Sequence, residues 1–404
     1  MDNTTTPATK HKTGRAGIIF ILGMLMTISP FAIDMYLPAF SKIAEDFHTT
    51  TARVSLSITS YFFGFAFGQL IYGPLLDRFG RKKPLYFGIA IYIICCAGCM
   101  VSHSVGMLVG FRFIQALGGC VAGVAAMTMA RDFFPIEESA KIFSLLILIL
   151  GLSPLLAPTL GGFITAGLGW QWVFIGLMIL AALVMAIVIL FLPTGYQPDP
   201  TISLRAKPMI NSFLSILRNR QFYTYTLSAS FSFATLLVYV AGSSLIFMEI
   251  YHVSPQVFGG IFALLSVGFI GGNQVNILLL KRYKSEELFR VALISQLIFA
   301  IIFLIGAILG WWGLVSTIVM FFLLLSTIGL IYPNGSALAL APFTTSVGTA
   351  SALLGFLQIG VGGLASSSIG LFNSTDSVPI IGVEVGVSLI ANLILQFAPG
   401  RIKK

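Results

Sequence analysis

Residues 73–83 read Gly73-Pro74-Leu75-Leu76-Asp77-Arg78-Phe79-Gly80-Arg81-Lys82-Lys83. This charged stretch stands between two uncharged runs, Val54–Leu76 and Pro84–His103. A bilayer-crossing helix needs about 20 predominantly apolar residues. The stretch therefore reads as a membrane-edge connection between two spans. Asp77 and Arg81 are four residues apart at a helix end, where an acid and a base can close on each other. Asp132, after the next span but one, returns to the same edge.

Composition agrees with a membrane fold. The 404 residues are 57% hydrophobic and only 9% Asp, Glu, Lys and Arg, against roughly 25% charged residues in an ordinary soluble chain. The mean hydropathy is +0.97. A soluble globule cannot hide that much apolar surface, whereas a bilayer favours it. Forty-one glycines and 51 aromatic residues suit packed transmembrane helices, with small residues at contacts and rings at the interfaces. No cleavable signal peptide is expected. The first apolar run begins near Gly17, lacks a small-residue cleavage site and leads into Asp34-Met35-Tyr36-Leu37-Pro38.

Working outward from residues 73–83, the uncharged runs give twelve spans. Six lie in the first half: Ala16–Ile33 continuing to Pro38, Val54–Leu76, Pro84–His103, Gly106–Ala130, and two from Ile142–Pro198 divided at Gly167-Leu168-Gly169-Trp170-Gln171. Six follow a Pro-rich, basic loop: Gln221–Tyr251, Val257–Leu280, three in the 85 uncharged residues Val291–Thr375, broken near Gly310-Trp311-Trp312-Gly313 and Pro342, and Val378–Phe397. The expected organisation is an all-α polytopic membrane protein with halves 1–193 and 221–404 around a linker, 194–220.

The net charge of +9 would suit nucleic acid if it were clustered on one surface, but it is spread over alternating connections. Twenty Lys and Arg fall on the side of the termini, against Lys42 and Arg53 on the other, with Arg112 inside a span. By the positive-inside rule the termini are cytoplasmic and nucleic acid is not a partner. Cys95, Cys96, Cys99 and Cys120 lie in apolar runs with no other ligand near in sequence. They read as small packing residues, and neither a metal nor a cofactor is expected.

The halves repeat. Gly64-Phe65-Ala66-Phe67-Gly68-Gln69 in span 2 matches Gly268-Phe269-Ile270-Gly271-Gly272-Asn273 in span 8, and the same register sets Asp77-Arg78 opposite Lys281-Arg282. Ser29 precedes Asp34-Met35-Tyr36 by the spacing that separates Ser244 from Glu249-Ile250-Tyr251. Two similarly oriented halves imply a pseudo-two-fold axis along the membrane normal with a cavity between them.

Residues 73–83 closely resemble the G-x-L-x-D-R-x-G-R-K signature of the major facilitator superfamily. Arg112-Phe113-Ile114-Gln115-Ala116 is similar to its R-x-x-Q-G motif, with Ala116 in place of glycine. Gly151-Leu152-Ser153-Pro154-Leu155-Leu156-Ala157-Pro158-Thr159-Leu160-Gly161-Gly162 resembles the antiporter motif G-P-x-x-G-P-x-x-G-G, with Ser153 and Ala157 where Gly is usual. Ser29-Pro30 with Asp34-Met35-Tyr36-Leu37-Pro38 is similar to span 1 of the Bcr/CflA group of drug exporters. The resemblance implies a gating network of Gly73, Asp77, Arg78, Gly80, Arg81 and Asp132 that breaks as the halves rock. It also implies a packing helix built on Pro154, Pro158, Gly161 and Gly162, which meets its counterpart in the other half. Pro154 and Pro158 lie on one face, where each removes a backbone hydrogen bond and bends the helix.

Charges at membrane depth are the strongest functional pointers, because each costs roughly 2.5–3.5 kcal/mol or more unless paired or hydrated. Asp34 lies about 6 Å and Arg112 about 9 Å from the outer ends of their spans, so the two are expected to meet. They are the first candidates for proton coupling, with Glu249 as the span 7 counterpart of Asp34 and Glu384 a lesser one. His48, His103 and His252 read as interfacial residues. Candidate substrate-lining residues are Tyr36, Tyr61, Gln115, Tyr239, Gln274, Asn334 and Gln358, a mixture suited to an amphipathic organic molecule.

The expectation is a monomeric secondary transporter in the bacterial inner membrane, surrounded by lipid and exporting small organic compounds in exchange for protons. The resemblance implies bicyclomycin- and chloramphenicol-like substrates. A metabolite carrier for nucleosides, sugars or metallophores is the alternative on the same scaffold. A membrane enzyme would need a cluster such as H-E-x-x-H, which the sequence lacks, and Gly80-Arg81-Lys82-Lys83 is no phosphate loop. Reporter fusions test the topology: those after Lys83, Arg205 and Lys284 should read cytoplasmic, and those after Glu45 and Asp376 external. An external signal at Arg205 would overturn the twelve-span reading.

Overall fold

A computed structural model describes residues 14–134, 136–193, 198–200, 206–343, 347–371 and 376–397. Residues 194–197 and 201–205 of the expected linker, Arg205 among them, and the basic residues of both termini other than Arg15 lie outside the described residues. In a bilayer each backbone polar group has to be satisfied within its own segment, and this favours long uninterrupted helices. The chain forms α1 (Arg15–Asp34), a short α2 (Phe40–Asp46), α3 (Thr51–Phe79), α4 (Lys82–Met100), α5 (Val105–Phe133), α6 (Ile136–Gly167) and α7 (Gln171–Phe191). After α8 (Ala206–Leu217) come α9 (Arg220–Ser244), α10 (Pro255–Leu279), α11 (Ser285–Ile308), α12 (Leu314–Leu340), α13 (Val347–Ser367) and α14 (Val378–Phe397). Apart from α2 and α8 these are the twelve expected spans, and eleven of them are long and apolar enough by themselves to cross a membrane. The twelfth, α6, has 32 residues.

The breaks fall where small residues release the helix. Gly169 and Gly310 both take positive φ, at 101° and 68°, in the α6–α7 and α11–α12 turns, a conformation that costs glycine little. Span 1 departs from the expected continuous run. The α-helix ends at Asp34, a 3-10 turn carries Leu37–Ala39, and α2 then runs to Asp46. Pro30 and Pro38 each remove a backbone donor on either side of that break. The expected linker loop is also partly helical. In α8 the Ile216 side chain is buried in a cluster with Phe222, Tyr225 and Phe289, which anchors the segment to the C-terminal half.

The helices form two sets of six, α1 with α3–α7 and α9–α14. The sequence repeat corresponds to a packing repeat. A Cβ on Gly64 or Gly68 would overlap Phe113 or Cys120 of α5, and one on Gly268 or Gly272 would meet Phe322 or overlap Ser326 of α12. Each half thus brings its second and fourth spans together through the same two glycine positions. The register extends to the turn before each helix. His48 and His252 both have positive φ, and two residues on, the Thr50 and Ser254 hydroxyls accept from Arg53 N and Val257 N at 3.3 Å.

The halves meet along α3 and α13, where the Phe67 and Phe356 ring centroids are 5.5 Å apart and a Cβ on Gly355 would overlap Gln69, and again at the end opposite residues 73–83. There the Thr59 and Ser366 hydroxyls are 3.1 Å apart, Ser244 donates to the Leu37 carbonyl at 3.0 Å, and Thr51 donates to Glu249. The last contact uses a π-helical segment, Leu245–Ile250, that continues α9.

Glycine substitutions test the packing repeat. Gly64→Val and Gly272→Val place a Cβ on a neighbouring carbonyl and should each lower stability by about 1–3 kcal/mol or prevent folding. Gly73→Ala and Gly271→Ala, with open space at the Cβ position, should melt within a few degrees of wild type. Size-exclusion profiles and melting in detergent would read both sets.

Candidate functional site

The last carbonyls of a helix lack intrahelical donors, and at the end of α1 this need is met from α5. Arg112 donates from one terminal nitrogen to the Ala32 carbonyl at 2.9 Å and from the other to Gln115 Oε1 at 2.8 Å. Gln115 Nε2 in turn donates to Cys96 Sγ at 2.9 Å. The guanidinium carbon lies 4.6 Å from the Tyr36 ring centroid and 4.4 Å from that of Tyr61, and Tyr36 and Ser57 share a hydroxyl hydrogen bond of 2.8 Å. Arg112 is fully buried. Its charge is balanced by a helix C-terminus and two aromatic faces, both favourable to a cation.

The expected meeting of Arg112 with Asp34 does not occur as an ion pair among the described residues. Arg112 takes the Ala32 carbonyl, and residues two apart do not share a helix face. Asp34 is buried at the last position of α1 and lies within electrostatic reach of Tyr239 on α9, in the other half. Tyr239 is itself buried, its ring 5.4 Å from Phe262 and 5.0 Å from Phe321, and its hydroxyl has no hydrogen-bond partner. Glu249 does not share the environment of Asp34. It is exposed and accepts from Thr51, because the π segment carries it to the end of the bundle.

The other polar candidates divide. Tyr36, Tyr61 and Gln115 complete the shell around Arg112 inside the N-terminal half. Asn334 bonds Asn276 Oδ1 at 2.6 Å and so ties α12 to α10, and Gln274 is exposed. Gln358 is buried with Nε2 unpartnered, on a helix that packs against α3 of the other half. The sequence reading passed over Thr51, Ser57, Thr59, Ser244 and Ser366 as partners. The density of Ser and Thr from Thr51 to Ser60, in an otherwise apolar span, was the available signal.

At the opposite end, Asp77, Arg81 and Asp132 do come together. Arg81 donates to Asp77, and to Asp132 through Nε at 2.7 Å and a terminal nitrogen at 3.3 Å. Burial works against the Arg81 charge, yet its bonds to Asp132 and Asp77 outweigh this and hold its pKa above the ordinary arginine value. Gly80, with φ of 81°, ends α3 so that Arg81 can turn back. Lys82 donates to the Leu192 carbonyl at 2.5 Å, Asp199 N donates to the Asp77 carbonyl at 3.1 Å, and Arg78 lies 5.9 Å from the Phe79 ring centroid. Gly73 has open space around it. The cluster joins α3 to α5 within one half.

The expected meeting of α6 with its counterpart in the other half, α13, is not what the structure shows: among the described residues α6 packs across the halves on α10, and its motif glycines close on α10 and on the end of α1. A Cβ on Gly161 would overlap the Met35 carbonyl, just beyond α1, and one on Gly162 would lie 2.5 Å from the Pro255 carbonyl of α10. Gly259 of α10 closes on the Pro158 carbonyl from the other side. Pro154 and Pro158 both lie inside the helix.

Residues 22–367 match the Major Facilitator Superfamily. A Bacillus subtilis (strain 168) protein named "Uncharacterized MFS-type transporter YdgK" is 31% identical over 385 residues, covering 94% of each chain. The "Bicyclomycin resistance protein homolog" of Haemophilus influenzae is 29% identical over 378 residues, 92% of this chain and 94% of that one. "Multidrug resistance protein MdtL" of Escherichia coli O81 (strain ED1a) is 29% identical over 390 residues, 93% and 94% of the two chains. The fold is that of a solved D-xylose-proton symporter, with a TM-score of 0.77 at 14% identity, over 95% of this chain and 98% of that one. With two six-helix halves packed through repeated glycines and a match over most of its length, this multi-pass membrane protein belongs to the Major Facilitator Superfamily, a family of transporters.

Proposed function

We propose that this chain is a proton-coupled exporter of small amphipathic organic compounds, of the kind named by its bicyclomycin- and multidrug-resistance relatives. The observation that carries the reading is Asp34, a buried acid with no salt-bridge partner among the described residues, at a helix break that faces the other half. Such an acid can take a proton from one side of a membrane and release it to the other, provided the surrounding halves alternate in access. The membrane potential would add about 2.3 kcal/mol per charge moved per 100 mV.

In this reading the protein is a monomer in the lipid of the bacterial inner membrane, with both termini and residues 73–83 cytoplasmic. The halves, 1–193 and 221–404, rock about the linker, 194–220. The contacts of Thr51, Thr59, Ser244 and Gly162 close the outer side, and α6 and α10 act as the packed pivot. Substrate binds between the halves beside Tyr239 and Gln358. Arg112 fixes the end of α1, and with it the position of Asp34. The Asp77–Arg81–Asp132 cluster holds the cytoplasmic end of the N-terminal half as one rigid piece, and Gly73 leaves α3 a smooth face on which α13 can close.

Proteoliposome transport of chloramphenicol driven by a pH gradient, with exchange measured in parallel, tests this. Asp34→Asn mimics the protonated acid, so exchange should persist while accumulation against a gradient is lost. Coupling at wild-type level in this variant would remove Asp34 from the mechanism. Asp77→Asn leaves Arg81 with one carboxylate. The half-exposed pair contributes about 1 kcal/mol, so transport should fall roughly fivefold with unchanged membrane insertion. Full transport by that variant would reduce the cluster to a topology anchor.

A further inference from the structure

Glu384 stands in the second turn of α14, with no exposed surface, and neither carboxylate oxygen has a hydrogen-bond partner among the described residues. A bare carboxylate in such a place is among the costliest groups a fold can hold, whereas the same group carrying a proton costs far less. The helices packed on α14 carry cations only in their first two turns, Arg220 on α9 and Arg290 on α11, and among the described residues neither forms an ion pair with Glu384. From α9 the titratable residue at the level of Glu384 is Tyr239, whose hydroxyl is also unpartnered among the described residues: Gly242 closes on Ile380 of α14, one turn from each. The charged residues of α11 are Glu286, Glu287 and Arg290. Asn392, two turns along α14 from Glu384, already bonds the Leu293 carbonyl at 3.0 Å, so those three lie further still from the acid. Asp376, before α14, is exposed and accepts from Val378 N at 3.2 Å.

We propose that Glu384 is a second proton-binding site of the transporter, loaded in the arrangement seen here, so that each half holds one buried acid within a span. The inference rests on the proton-coupled reading of Asp34 and adds a site in the other half. The step is a simple transfer. A proton leaves water as an O–H bond forms at one Glu384 oxygen, and that bond breaks when α14 and α9 separate enough to admit water, returning the proton to the opposite side. Tyr239 stands one turn from the place where Gly242 of α9 closes on Ile380 of α14, so its replacement changes the surroundings of Glu384.

The test compares full-length wild type, Glu384→Gln, Glu384→Asp, Tyr239→Phe and Asp34→Asn. In lipid nanodiscs at neutral pH, infrared spectroscopy reads the C=O stretch of protonated carboxyls. Glu384→Gln should lose one such band that Asp34→Asn retains, Glu384→Asp should shift it, and Tyr239→Phe should move it by altering its surroundings. In proteoliposomes with chloramphenicol, Glu384→Gln should keep exchange while the protons moved per substrate fall to about half. An unchanged band in Glu384→Gln, or unchanged proton movement per substrate where wild type is coupled, overturns the proposal. Should Glu384→Gln fail to fold, a band unmoved in both Glu384→Asp and Tyr239→Phe overturns it equally. If wild type moves no protons with chloramphenicol, the antiport reading fails for that substrate. The infrared result then decides the proton site by itself.

Discussion

A cation without a carboxylate sits at the centre of the N-terminal half. Arg112 has no exposed surface, and its charge is met by the Ala32 carbonyl, Gln115 and the faces of Tyr36 and Tyr61. Much of the surrounding structure depends on this. The cation caps α1 at the point where Pro30 and Pro38 end it, so the break that exposes Asp34 to the other half has a fixed place. The two tyrosines are held by the charge they shelter, and Tyr36 is further tied to Ser57 of α3. Three helices are joined through a group that water cannot reach, where hydrogen bonds and cation–π contacts gain strength from the low dielectric.

Dipoles take up the two terminal nitrogens and two rings lie against the guanidinium, its Nε finding no partner among the described residues, and Asp34 is left free of it. Had the two paired, the acid would have been held in its charged form, a poor carrier for a proton that has to be both taken up and released. The structure separates the tasks: one buried ion fixes geometry, and another stays able to change charge. At the other end Arg81 joins Asp77 and Asp132 within one half, so the bonds expected to break as the halves rock do not themselves cross between the halves.

The architecture was largely legible in the sequence because each signal for it is local. Uncharged length marks a span, Gly167–Gln171 and Gly310–Gly313 mark turns, and the Gly64/Gly68 and Gly268/Gly272 pairs mark close helix contacts that the structure reproduces. Asp77, Arg81 and Asp132 were legible for the same reason, since helix spacing and a shared membrane edge bring them together. What the sequence did not carry was direction. Depth alone placed Asp34 near Arg112, but the angular position around α1, and a carbonyl with no sequence signature, decide what the guanidinium meets. Glu249 was misplaced in depth because the π turn of Leu245–Ile250 changes the course of α9 after Ser244. Helix α8 was missed because the linker was read from its prolines and basic residues, although Met209, Phe213, Ile216 and Leu217 recur there at helical spacing.

The repeat also limits what the two halves can share. Glycine packing, turn geometry and the capping hydroxyls of Thr50 and Ser254 recur in register, since these set the shape of a half and both halves need the same shape to rock against each other. The ionisable groups do not recur. Arg112 and Asp34 have no charged counterparts buried in α12 and α9, while Glu384 lies in α14, the last helix of its half. A symmetric scaffold with asymmetric charge lets the halves move as equivalents while a proton sees a different path through each. Direction itself comes from the proton gradient and the membrane potential, because an axis along the membrane normal leaves the two sides of the membrane distinct however alike the halves are. The unequal charges decide only in which half a proton can be held.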